Sequence, residues 1–300
     1  MQDPFLRAML WGAMWDLVRE ALLAPERFVR MALRELPRER DEQIVSGIVG
    51  RLSRATTAYL SPVTRDAFLP DVERALLDGA NRADSPYGIR KAHFDAWVRV
   101  ASTQPARDIM AGMLDSTTIA GEPLRSPTRW AIITRLTALG APTADALLAA
   151  ERTRDPSAEG VRRAFVAGAA RPDAATKREY FDRYFSDATL NEDWATASLE
   201  GFNAIESQSL SLPYLTPALD SLPWIQRNRR IFYVGSWIGS FVEGQTSEAA
   251  LTTVRDFLDK RRELPRDLRL KVLQSVDELE RTVRIRRTFG IEAPSTSPDS

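Results

Sequence analysis

The sequence has no cysteine and a single histidine, and these two shortages rule out whole classes of chemistry. Without cysteine there is no disulfide, no thiolate metal site and no cysteine nucleophile. The chain suits a reducing compartment, which makes the cytoplasm the expected location. One histidine, His93 in KAHFDAW, cannot supply the pair one helical turn apart that an H-E-x-x-H zinc helix needs. A serine triad would have to use the same imidazole, and Ser236 in GSWIGS does not sit in a G-x-S-x-G elbow. His93 therefore reads as a structural or surface residue. Neither a D-x-D-x-D-G calcium loop nor a G-x-x-x-x-G-K-[ST] phosphate loop occurs. The expectation is a chain with no catalytic residue, metal or cofactor of its own.

An excess of one charge is missing as well. Forty-one basic residues balance 41 acidic ones, so no global field recruits nucleic acid or a membrane surface. Long hydrophobic runs are also absent. The uncharged stretch IFYVGSWIGSFV, 231–242, has twelve residues against the ~18–20 that span a bilayer, and reads as a buried helix. Its Gly235 and Gly239 read as small residues that let helices approach closely. The N-terminal MQDPFLRAMLWGAMWDLVREA has no basic leader and is interrupted by Arg7, Asp16, Arg19 and Glu20. It reads as an amphipathic helix started by Asp3-Pro4 rather than as a signal peptide.

What the sequence does have is helical periodicity broken by proline. Phe94, Trp97, Val98 and Ala101 recur at i, i+3, i+4, i+7, as do Val161, Ala164, Phe165 and Gly168. Near the C-terminus Val272, Val276, Leu279 and Val283 form a stripe opposite Asp277, Glu280, Arg281 and Arg284. Sustained period-two alternation is absent. Breaks such as LAPER, YLSPVTR, RSPTR, RDPSA, ARPDA and ELPRD carry proline, most of them with a neighbouring Ser, Thr or Asp able to cap. Within ARPDA, Pro172 reads as the first turn of a new helix. These breaks predict an all-α chain, an irregular HEAT-like superhelical solenoid of about fifteen antiparallel helices over residues 1–289. The tail 290–300, GIEAPSTSPDS, reads as disordered.

Several local patterns coincide with one family. DPFLRAMLWGAMWDLVREALLAPERFV, ATTAYLSPVTR, GEPLRSPTRWAII, AAERTRDPSAEGVRRAFVAGAARPDAATK and LEGFNAIESQSLSLPYL occur in that order. In them the chain resembles the ERAP-like C-terminal helical domain of the aminopeptidase N family of zinc metallopeptidases, the gluzincins. Phe181 stands where family members often have tryptophan, four residues after the lysine matched by Lys177. The family's G-A-M-E-N and H-E-x-x-H motifs have no counterpart here, so its active-site roles have no positions to be carried to. The resemblance implies a non-catalytic domain that caps a catalytic domain and encloses the peptide-substrate cavity, with zinc expected only in that other domain. From the residues alone, a stand-alone α-solenoid scaffold binding a protein or peptide on its concave face remains open.

Four cations are candidate contacts to a peptide or to another domain: Arg129, Lys177, Arg229 and Arg230. Arg129 falls in the first turn of its helix, where the dipole disfavours a cation, so it needs a specific partner, either between helices or in a ligand. Arg227, Arg229 and Arg230, and likewise Arg281, Arg284, Arg286 and Arg287, can hold carboxylates or pair between helices. The first helix carries Phe5, Leu6, Met9, Leu10, Ala13, Met14, Leu17 and Val18, with Trp11 and Trp15 on a further face. One neighbouring helix cannot cover all of this, which predicts a partner surface, either for a catalytic domain or for self-association.

Overall fold

Proline and its capping neighbours start the helices in the computed structural model, which describes residues 3–116, 118–119, 122–187 and 189–290. Helix α1 (Pro4–Arg19) opens on Pro4, with the Asp3 carboxylate accepting from the Phe5 and Leu6 N–H groups. Helices α2 (Pro25–Glu35), α3 (Glu42–Arg54), α4 (Pro62–Asn81) and α5 (Tyr87–Val100) follow. Asp41 and Ser61 cap α3 and α4 in the same way. Next come α6 (Gln104–Ser116), α7 (Ser126–Ala138), α8 (Ala144–Arg154), α9 (Ala158–Ala169), α10 (Ala174–Ser186) and α11 (Glu192–Phe202). The series closes with α12 (Gln208–Ser211), α13 (Leu215–Asp220), α14 (Leu222–Asn228), α15 (Ile231–Ile238), α16 (Glu248–Lys260) and α17 (Arg266–Phe289). Among the described residues the one departure from helix and loop is a pair of two-residue strands, Thr118–Ile119 and Glu122–Pro123, antiparallel with Thr118 opposite Pro123. The fold is all-α.

The described residues form two compact units, one reaching to Thr103 and resuming at Arg281, the other running from Gln104 to Glu280. In the first unit α5 packs on α3 and α4, and the core holds Phe28, Ile48, Leu52, Val72, Leu76 and Trp97. The Ala55–Tyr59 segment is a π-helical turn, and Arg286 donates to the carbonyls of Ala58 and Leu60 at 2.7 and 3.3 Å. Burial among these groups lowers the Arg286 pKa. Arg284 and Arg281 pair with Glu20. The C-terminal basic cluster is thus partly spent within its own unit.

In the second unit α9 packs between α7 and α11. Phe181, Phe202, Tyr214, Trp237 and Phe241 form an aromatic core with ring centroids 4.6–6.3 Å apart. The Asp155 carboxylate accepts from Ser126, Ser157 and the Trp130 indole, tying the starts of α7 and α9. Those hydrogen bonds pull its pKa down to about 2.

The stripes on α5 and α17 are buried as their spacing requires, but four expectations fail in detail. Pro172 lies before Asp173, whose side chain caps α10 through the Thr176 N–H, so it precedes the helix rather than entering its first turn. Val161 is 47% exposed, at the end of its stripe. A Cβ on Gly235 would meet nothing within 4 Å, and one on Gly239 only the Glu243 side chain, so neither glycine serves a close helix approach. In the 231–242 stretch Tyr233, Val234, Trp237, Ile238, Phe241 and Val242 are buried, whereas Ile231 and Phe232 at the start of α15 are exposed. Apart from Gly290, the tail 290–300 lies outside the described residues. No described helix is long and apolar enough to cross a membrane.

Candidate functional site

Helix α1 has two apolar faces, and only one is covered. Trp11 and Val18 are buried, and Trp15 packs on Phe28 at 5.2 Å and stacks on Tyr59 at 5.5 Å. On the other side Leu6, Met9, Leu10, Ala13 and Leu17 run at i, i+3, i+4, i+7, i+11 and are exposed, with Met9 at 56% and Leu10 at 50%. Phe5 and Leu22 extend this stripe at either end. A surface helix normally shows one apolar stripe and one polar face, so a second stripe at helical spacing fits a partner. Beside it lies a groove of about 520 Å³, floored by Leu10, Trp11, Met14 and Met31 and rimmed by the Arg7–Glu39 pair at 2.9 Å. Arg7 holds the Glu39 carboxyl below its ordinary pKa, against the opposing effect of burial. The arrangement is an apolar strip with a charged edge, suited to an apolar helix or strand of another body.

The four cations fall at three places in the second unit. Arg129, in the first turn of α7, is buried and forms a bidentate pair with Glu151 on α8, while its Nη1 donates to the Leu114 carbonyl of α6 at 2.9 Å. Lys177, on α10, is wholly buried: Nζ donates to the carbonyls of Ala169 at 2.9 Å and Gly201 at 3.3 Å and lies 5.2 Å from the Phe202 ring centroid. Both cations act as ties between helices. Arg229, between α14 and α15, donates to the Tyr184 carbonyl at 2.7 Å and stacks over Trp224 and Tyr233. Its Nε and the buried Tyr233 hydroxyl have no partner. Arg230 points to solvent, with Glu192 at 3.8 Å. Arg229 is thus engaged within the fold, and of the four only Arg230, beside exposed Ile231 and Phe232, turns its side chain to solvent.

Among the described residues no three His, Asp or Glu side chains converge as a metal site. His93 is buried, with its Nδ1 against Gly79, where even a Cβ would lie 2.3 Å away. Burial, reinforced by Arg82, lowers its pKa from 6.5 to about 4. The unfolded chain thus takes the proton first as pH falls, and stability is full above pH 6.5 and lost on the way down to about 4. The expected loss is roughly 3 kcal/mol, the free-energy equivalent of that shift. Denaturant titrations of the wild type and His93→Gln at several pH values check it. The difference between the two curves should slope only in that window, and parallel curves would contradict the assignment.

Comparison with known proteins gives a consistent relation. The model of the family described as the ERAP1-like C-terminal domain matches residues 2–281. Over 228 residues the chain is 29% identical to Aminopeptidase N of Streptomyces lividans, a match covering 75% of this chain and 26% of that protein. The chain thus spans about a quarter of that relative's length.

Proposed function

Because the chain belongs to the family of ERAP1-like C-terminal domains, we propose that it is the non-catalytic C-terminal part of a zinc aminopeptidase. In this reading it is an irregular HEAT-like solenoid that docks on the catalytic portion and closes the cavity through which peptide substrates pass. The observation that carries the reading is the uncovered stripe of α1, Leu6 to Leu17, on a chain that spans only a quarter of its relative. The zinc of the parent family does not fit the residues present. The sole histidine is buried against Gly79, and among the described residues no three His, Asp or Glu side chains come together as a metal site, so no step of hydrolysis is assigned to this chain. Arg230 is its proposed contact to peptide, and a cysteine-free chain suits the cytoplasm.

The test combines the purified chain with the part of the Streptomyces lividans protein outside the match. The chain alone should leave amino-acid anilides intact. The mixture should cleave longer peptides at a rate different from that of the catalytic portion alone, while small anilides are affected least. Identical rates for every substrate with and without the chain would contradict the proposal and favour an independent scaffold.

A further inference from the structure

A second feature of the first unit adjoins the groove beside α1, sharing Glu39 and Arg40 with it. A cleft of about 540 Å³ opens between α2, the turn that follows it, the C-terminal half of α4, and α5. Five arginines line it, from segments far apart in sequence. Two are matched: Arg34 pairs with Glu35, and Arg74 with Asp71. The other three have no carboxylate partner among the described residues. Arg30 lies over the Phe68 ring at 4.5 Å. Arg40 donates through Nη1 to the carbonyls of Pro37 and Glu39, at 2.9 and 3.0 Å. Arg82 donates through Nη1 to the Pro37 carbonyl at 2.6 Å. Each guanidinium is thereby anchored by a ring or by backbone, with most of its five N–H donors unspent.

The nearby carboxylates do not balance this charge. Glu39 is occupied by Arg7 and by the backbone N–H groups of Arg40 and Asp41. Asp78 is the one unmatched acid of the cleft, against three unmatched arginines. The buried His93 also lines the cleft, its Nδ1 set against Gly79 and without a hydrogen-bond partner. A buried polar atom left unpaired is unusual. Arg40 and Arg82 meet at the Pro37 carbonyl and Arg30 lines the same cleft, and guanidinium groups are the side chains suited to phosphate and carboxylate, which accept bidentate hydrogen bonds.

We propose that this cleft is a binding site for a small, multiply charged oxyanion, a molecule bearing two or more phosphate or carboxylate groups, held by Arg30, Arg40 and Arg82.

The chain offers its own reporter, because His93 is its only histidine and gives a single set of imidazole resonances. The full chain is titrated with pyrophosphate and, separately, with citrate, by calorimetry and by NMR of the His93 ring. Saturable 1:1 binding that shifts the His93 signals and weakens as salt rises is expected for at least one of them. Pyrophosphate alone would assign a phosphate ligand, citrate alone a polycarboxylate, and both the shared chemistry. Arg30→Glu, an exposed change that leaves the backbone anchors intact, should weaken binding at least tenfold, as should Arg40→Ala with Arg82→Ala. Arg227→Ala, in the other unit, should change nothing. No saturable binding to either anion, an unmoved His93 signal at saturation, or equal losses in Arg30→Glu and Arg227→Ala would overturn the proposal. If the double variant unfolds, Arg30→Glu decides alone.

Discussion

Replacing Arg129 with alanine lowers the unfolding free energy by about 3–5 kcal/mol, far above the ~0.5 kcal/mol of an ordinary surface change. The size follows from what is left behind. Arg129 Nε lies 3.0 and 2.9 Å from the two Glu151 oxygens, and Nη2 lies 2.8 Å from one of them. Glu151 is 2% exposed, and its other cation, Arg154, stands at 3.7 Å on the half-exposed side. Truncating the arginine strands a buried carboxylate and also frees the Leu114 carbonyl at the end of α6. Adding Glu151→Ala should recover part of the loss, because the stranded charge goes with it. Urea titrations of the two single variants and the double variant measure this. An Arg129→Ala midpoint equal to that of the wild type would show that the pair contributes nothing.

Lys177 gives the second large effect, and its size depends on what replaces it. The ammonium lies at the C-terminal ends of both α9 and α11, where the Ala169 and Gly201 carbonyls and the negative ends of two helix dipoles converge. Burial nevertheless dominates, and lowers the Lys177 pKa from 10.5 to about 8. Lys177→Ala opens a cavity beside Phe202 and leaves two carbonyls without their donor, and should cost about 2–5 kcal/mol. Lys177→Met fills the space and removes the buried charge but leaves the same two carbonyls without their donor, so at pH 7 it should cost less than Lys177→Ala by the cavity it avoids. Because the folded pKa lies below the unfolded one, the wild type gains stability as pH rises from about 8 to 10.5, and below pH 8 it has none of that gain. The expected rise relative to Lys177→Met is roughly 3 kcal/mol. Taking the difference between the two proteins cancels the buried tyrosines, whose burial raises their pKa values. A flat difference across that window would mean that the lysine is not desolvated.

These two residues mark where the sequence stops being legible. Arg129 could be singled out because Ser126-Pro127 fixes the start of its helix and so places a cation where the dipole opposes it. Its partner Glu151, 22 residues on, follows only from how α8 lies against α7. Lys177, in DAATKREYF, carries no local sign of burial, since it is set between two helix ends that meet only in the fold. The stripes on α5 and α17 were readable because periodicity reports the covered face directly. Periodicity does not report which of two apolar faces a neighbour covers, and so α1 needed the structure to separate Trp11 and Val18 from Leu6, Met9, Leu10 and Leu17. The arginine cleft was invisible for the same reason. Arg30, Arg40 and Arg82 come from three segments, and each by itself is an ordinary surface residue. Gly235 and Gly239 show the opposite error, a local pattern given a packing role that the fold does not use.

If the exposed stripe of α1 is the face that docks on a catalytic portion, disrupting it should abolish assembly. Sedimentation velocity on an equimolar mixture of the chain with the remainder of the Streptomyces lividans aminopeptidase tests it directly, repeated with the variant carrying Leu6→Asp and Leu10→Asp. Both positions are exposed, so the variant should keep its helical circular dichroism and its melting temperature. The expected result is a 1:1 complex for the wild type and two separate boundaries for the variant. Two separate boundaries for both proteins, or a complex that the variant forms equally well, would contradict it.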